Sequence, residues 1–199
     1  MNSCSLLTLT DILWQLMESN NHDPEPLFSK AGISRDSIKT AGLRVPFKIV
    51  DELWREASRI IEDPCFGLRA SEFWHPAHMH ALGYAWLSSR TLREALGRYK
   101  RYNRILSPIS DITLEENDQG LALIVKPTPQ VAPRPNRIDA LFACIMKMCR
   151  TNYRNSLNME TDLTEIAFML GFSEHSAFSR AFRRWTGRSP KETRDALLN

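Results

Sequence analysis

Apolar positions recur at helical spacing over most of the first hundred residues. Residues 9–17 put Leu9, Ile12, Leu13 and Leu16 on one face, which predicts a helix. Asn20, Asn21, Pro24 and Pro26 then break the pattern into a loop. Residues 25–31 form a candidate short helix closed by Gly32, and GISRDSIKTAGLRVP reads as turns up to Pro46. Pro46 suits the first turn of a helix over residues 46–61, with Val50, Leu53, Trp54, Ala57 and Ile61 inward. Asp63 caps a short segment that starts at Pro64, and Cys65, Phe66, Leu68 and Phe73 are expected in the core. ALGYAWLSS is apolar enough for a buried helix. Thr91 and Glu94 open another, with Leu92, Ala95, Leu96, Tyr99 and Tyr102 inward. Its other face carries Arg93, Arg98, Lys100, Arg101 and Arg104 and reads as a solvated surface.

After Pro108 the period shifts toward two. Ile112 and Leu114 alternate, as do Leu121, Leu123 and Val125, and Asn117 to Gly120 is a turn signal. This predicts a hairpin, which must lie on a helix or gain strands to be stable. Pro127, Pro129, Pro133 and Pro135 mark a stiff loop. Asn136 and Asp139 open a helix to about residue 153, with Ile138, Leu141, Phe142, Ile145 and Met148 inside.

The C-terminal pattern is three short helices with tight joints. Leu163, Ile166, Ala167 and Leu170 line the first, which starts on an Asp162/Glu165 capping pattern and ends at Gly171. Ser173 restarts the chain as an N-cap. Ala177, Phe178, Ala181, Phe182 and Trp185 form the inner stripe of the second helix, and Gly187 ends it. Ser189, Pro190 and Glu192 supply an N-cap, an N1 proline and an N3 acid for the third. His175, Ser176, Ser179, Arg180 and Arg183 occupy the other side of the second helix. From Gly171 to Arg194 there are six Lys or Arg against two Asp or Glu, so positive charge gathers on one side of the unit. Two helices around a turn, the second amphipathic and basic, fit a helix-turn-helix, although any small helical bundle shares the periodicity.

Composition narrows little further. The 199 residues are 43% hydrophobic and 25% charged, which suits a globular chain of one sizeable domain and a small one. The net charge of +3 is too small to name a polyanionic partner by itself. Cys4, Cys65, Cys144 and Cys149 form no CxxC pair, so reduced thiols are expected. Without a secretion-signal pattern or a transmembrane-length run, the expected compartment is the cytoplasm, away from any membrane. His75, His78 and His80 in HPAHMH fit neither HExxH nor a zinc finger. They read as loop histidines, and no metal or other cofactor is expected. No positioned acid, base or nucleophile accompanies them, so an enzyme is not expected.

The run LTEIAFMLGFSEHSAFSRAFRRWTGRSPKETR resembles the second helix-turn-helix of the AraC family of transcription regulators. The I-A-x-x-L-G-F-S turn, the A-F-S-R-A-F-R-R-W helix and the G-x-S-P-x-x-x-R end are all in register. GLRVPFKIVDELWREASRIIEDPCFGLRASE, ALGYAWLSSRTLREALGRYKRYNRILSP and RIDALFACIMKMCR resemble the arabinose-binding-like regulatory domain of one branch of that family, over roughly residues 23–155. The resemblance implies a double-stranded DNA partner, a small-molecule effector, and homo-oligomers or hetero-oligomers with a full-length homologue. It implies that the second helix enters the major groove, with His175, Ser176, Ser179 and Arg180 at base-reading positions and Ser173 and Arg183 at phosphate. Gly171 is then a structural joint, Phe178, Phe182 and Trp185 are core, and Pro190 starts the last helix.

The expected architecture is a mainly α N-terminal domain with a small β-hairpin (α+β), residues 1–157, followed by a three-helix helix-turn-helix unit, residues 158–199. The family pattern also implies a first helix-turn-helix and a long joining helix. There is no room for them between Arg154 and Glu160, so an internal deletion is expected near residues 155–161. Two functional expectations follow. One is a sequence-specific transcription factor. The other is a shortened interaction protein that pairs with an intact homologue without binding DNA. Neither the operator nor the effector, nor the sign of regulation, is written in these motifs.

Overall fold

The computed structural model describes residues 4–108, 110–118, 120–128, 134–157, 174–186 and 188–192. Along the chain run β1 (Cys4–Leu6), α1 (Thr10–Ser19), α2 (Glu25–Lys30), α3 (Arg35–Lys39), β2 (Arg44–Pro46) and α4 (Phe47–Ile60). There follow α5 (Ala70–Phe73), α6 (Ala81–Leu87), α7 (Leu92–Leu106), β3 (Ser110–Asn117), β4 (Gly120–Pro127), α8 (Pro135–Leu157) and α9 (His175–Thr186). Short 3-10 turns precede α1, α5 and α6. The described chain is thus mostly α-helical, with two two-stranded antiparallel sheets, β1–β2 and β3–β4.

One continuous core joins α1, α4, α6, α7 and α8. Leu13, Leu16, Phe28, Phe66 and Trp86 are almost wholly withdrawn from solvent. The predicted hairpin is present, pairing Ile112 with Val125 and Leu114 with Leu123. These same-face side chains pack against the helical core, which supplies the support that two strands lack alone. Arg104 pairs with Asp111, and Arg93 with Glu116, along the outer seam of α7 and β3.

Local chemistry sets the helix starts. Thr91 accepts the Glu94 amide at 3.1 Å, as its N-cap pattern predicts. The segment expected to be turns contains α3, begun by a Ser34/Ser37 capping box, and β2, which pairs with β1. Five- and three-residue elements are too short to leave a periodic trace.

Several expected core residues face outward. Cys65 and Leu68 are exposed because Phe66 takes the inward place in that 3-10 turn. Leu92 sits exposed at the first position of α7. Tyr102 is also exposed, since Asn103 occupies the inward side and donates to the Ser110 carbonyl at 3.0 Å. Phe142 and Met146 lie to one side of the buried α8 stripe formed by Ala140, Cys144, Ile145 and Met148. All four cysteines are free thiols, and burial pushes Cys144 up to about 12.

A charged clasp joins α4 to α8. Arg134 reaches both oxygens of Asp51, at 2.8 and 2.6 Å, and Arg137 adds a third bond at 3.0 Å. The Arg137 guanidinium also lies 5.0 Å from the Phe47 ring centroid. Arg134 leads the causes that hold the Asp51 carboxyl below the ordinary aspartate value.

Candidate functional site

Helix α9 carries the second helix of the expected C-terminal motif. Its residue pattern separates two faces. Phe178 is buried and Phe182 half-buried, with rings 5.6 Å apart in an edge-on contact. His175, Ser176, Arg180 and Arg183 are exposed, and Ser179 is half-buried. Ser176 donates to Glu174 at 3.0 Å, and Ser179 meets the His175 ring at 3.5 Å one turn away. Arg180 makes no hydrogen bond or ion pair with a described residue. Its guanidinium donors are therefore available to an external acceptor.

The capping motif after α9 is formed as the residue pattern predicts. Glu192 donates its amide to the Ser189 hydroxyl at 3.1 Å, and its carboxylate accepts the Ser189 amide at 2.7 Å. Those bonds, the amide first, hold the Glu192 carboxyl below its ordinary value. Pro190 is buried at the start of the helical turn that continues through residue 192. Ser173 and Gly171 lie outside the described residues, as do the Trp185 side chain and the expected boundary at 157/158.

The aromatic stripe of α9 rests on α6. Phe178 packs with Tyr84 and Leu87, and Phe182 packs beside it. The apolar run ALGYAWLSS predicts a buried helix but names no second neighbour for it. A helix apolar on all sides needs partners on more than one side, and that signal was present in ALGYAWL. Leu82, Gly83 and Trp86 face the main core, Tyr84 takes α9, and Leu87 touches both. A Cβ placed on Gly83 would stand 2.0 Å from the Pro76 carbonyl oxygen, so only glycine lets α6 approach the preceding turn this closely. Trp86 donates from Nε1 to the Met148 carbonyl at 3.0 Å, and Asn152 returns a bond to the Trp86 carbonyl at 3.2 Å. These bonds clasp α6 to α8.

Beside Tyr84 lies a cleft of about 330 Å³, lined by Thr8, Asp11, Ile38, Lys39, Ala77 and His80 among others. His78 and Arg35 both bind the Asp11 carboxylate. Burial raises the Asp11 pKa, but these two bonds and the adjacent positive charge outweigh it and hold the group below its ordinary value. His80 adopts φ +50 and ψ −134, a conformation unusual for a residue with a side chain. Burial, then the charge of Arg44, lowers its basicity. The loop histidines thus include two built into the wall of a cleft. Among the described residues, no group of three His, Cys, Asp or Glu is arranged to hold a metal, and no helix is long and apolar enough to cross a membrane.

A family model described as the arabinose-binding domain of AraC transcription regulators, N-terminal, matches residues 22–184. A stretch of 34 residues is 56% identical to the ornithine utilization regulator of Pseudomonas aeruginosa. That stretch covers 17% of this chain and 10% of that protein.

Proposed function

This chain belongs to the family of the arabinose-binding N-terminal domain of AraC transcription regulators, and from that premise we propose that it regulates transcription by binding promoter DNA through α9. The family is one of regulators, not catalysts, and the chain is not an enzyme. The observation that carries the proposal is the two-sided character of α9. Its aromatic side is packed away, and His175, Ser176, Arg180 and Arg183 are presented outward with Ser179 at their edge. A helix of this kind places short polar side chains and an arginine where base edges and phosphates lie. In this reading Arg180 donates two bonds to a guanine edge, His175, Ser176 and Ser179 contact neighbouring bases, and Ser173 and Arg183 hold phosphate. The N-terminal body, residues 1–157, is the effector-sensing or self-associating part, and residues 158–199 are the second half of a DNA-binding domain.

The test is selection of genomic fragments by the purified chain, followed by titration near physiological salt with Arg180→Ala alongside. Sequence-selective binding should weaken by about 1–3 kcal/mol in the variant. Equal binding by both proteins, indifferent to sequence and abolished by salt, would reduce the interaction to its electrostatic component and overturn base reading by Arg180.

A second reading is supported by the seat of α9. With Phe178 engaged by Tyr84 and Leu87, the helix can serve the body instead of a groove. The chain would then act as a shortened partner that pairs with an intact homologue. Absence of DNA binding, together with mixed oligomers on co-expression with a full-length family member, is the outcome that selects this reading.

A further inference from the structure

The cleft beside Tyr84 is made by three separate stretches of chain: the first turn and α1, the α3–β2 connection, and the turn that enters α6. Its polar groups divide into committed and uncommitted. Asp11 is already engaged by Arg35, His78 and Gln15, the last at 2.7 Å. His78 is committed on both ring nitrogens, to Asp11 at 3.1 Å and to the His75 amide at 3.2 Å. Thr8 donates to the His78 carbonyl at 2.8 Å. Lys39, by contrast, has no ion pair or hydrogen bond with a described residue. His80 meets Thr8 and the Gly42 amide through Nε2 alone, at 3.2 and 3.4 Å, so its Nδ1 is uncommitted. Arg44 satisfies its guanidinium on the Cys4 and Ile105 carbonyls, without a carboxylate to cancel its charge. Ile38, Ala41, Ala77 and the Tyr84 ring supply apolar wall.

This inventory selects among ligands. The unneutralised ammonium and the spare imidazole nitrogen suit a single negative charge. The Asp11 carboxylate in the same lining opposes a doubly charged phosphate. An amine would find no uncommitted carboxylate. The apolar wall accommodates a short hydrocarbon body, and the volume is at the lower end of the range for small-ligand pockets. We propose that this cleft binds a small organic monocarboxylate, with Lys39 and His80 holding the carboxylate, and that α9 senses its occupancy through Tyr84. Tyr84 is shared: it lines the cleft and packs against Phe178. A ligand that shifts or fixes this ring alters the seat of α9 directly. The sensing half rests on the proposed regulatory function; the binding half does not.

Calorimetric titration of the full chain with butanoate, hexanoate and benzoate tests the site, with hexylamine and inorganic phosphate as contrasts. At least one carboxylate should bind at one site, and both contrasts should fail to. Lys39→Met should weaken binding roughly tenfold or more, the scale of one charge-assisted hydrogen bond, and Lys39→Arg should restore most of it. Lys39 is exposed, so neither substitution threatens the fold. Failure of all three carboxylates, equal affinity for phosphate, or indifference to Lys39→Met overturns the site. Amide exchange across residues 175–186 should change on ligand addition; binding that leaves it unchanged overturns the coupling. DNA titration of the same preparation separates the two claims. Carboxylate binding in a chain without DNA affinity supports the site and removes the regulatory reading, while DNA binding without carboxylate binding does the reverse.

Discussion

The N-terminal body and α9 are both built from amphipathic helices, yet they are held very differently. In the body, Trp86 is fully buried, meets Tyr99 edge-on at 6.0 Å and hydrogen-bonds across to α8. Its neighbours form one core that reaches from α1 to the hairpin. In α9 a single buried ring, Phe178, flanked by half-buried Phe182, rests on two side chains of α6. Burial is continuous in the first case and confined to one patch in the second. Stability follows burial locally, so the body should open only as a whole, while α9 should exchange at a lower free energy. A helix that must choose between partners is better placed in the second class.

The largest expected effect tests the body. Trp86→Ala removes its largest fully buried ring and the clasp to Met148, and should cost about 3–5 kcal/mol by urea denaturation. Because α6 also seats α9, protection of α9 should vanish with it. A loss below about 1 kcal/mol would erase the contrast between the two regions.

A smaller effect probes how the body is tied. Asp51→Asn weakens the clasp to Arg134 and Arg137, which is only partly shielded from water, and should cost about 1–2 kcal/mol. Its pH dependence has a definite sign. The folded-state pKa of Asp51 is lowered from 3.8, so the stabilisation is complete above that value and fades as pH falls through the lower folded value. Urea midpoints of the native chain should therefore fall more steeply below about pH 4 than those of Asp51→Asn. Parallel curves would show that the clasp contributes nothing.

The smallest global effect belongs to α9. Phe178→Ala combined with Phe182→Ala should leave the main unfolding transition within about 1 kcal/mol of the native value, because the patch meets the core only through Leu87. Amide exchange over residues 175–186 should nevertheless accelerate sharply. If the double variant lowers the main transition as far as Trp86→Ala does, α9 belongs to the core and the comparison fails.

Much of the body could be read from sequence because its longer elements repeat their pattern. Helices α1, α4, α7 and α8 each run for at least ten residues, and the hairpin shows alternation on both sides of a turn. The short elements α3, β1 and β2 were missed. Nothing local announces that Ser5 will pair with Val45, since that pairing is a property of the folded chain. Periodicity also cannot choose between flanks of one stripe, which is why Phe142 and Tyr102 were expected inside. Near the candidate site, the reciprocal bonds of Ser189 and Glu192 are a local feature, and a local pattern can announce them. Tyr84 and the cleft around it were not legible, because they depend on three stretches meeting in space. HPAHMH shows its histidines in sequence but not their partners. Their ligand-binding potential became visible only once the hydrogen bonds of His78 and His80 could be told apart.

Helix α6 has one more consequence, best expressed as competition. Met148 and Asn152 fasten α8 to one side of it shortly before that helix ends at Leu157. Phe178 fastens α9 to another side, just after that helix begins at His175. Two helices of one chain therefore meet on the same short helix. Because both partners belong to one chain, the contact is intramolecular, and α6 confronts α9 at an effective concentration on the order of millimolar. A rival present at micromolar concentration must therefore bind α9 roughly a thousandfold more tightly than α6 does in order to win half of it.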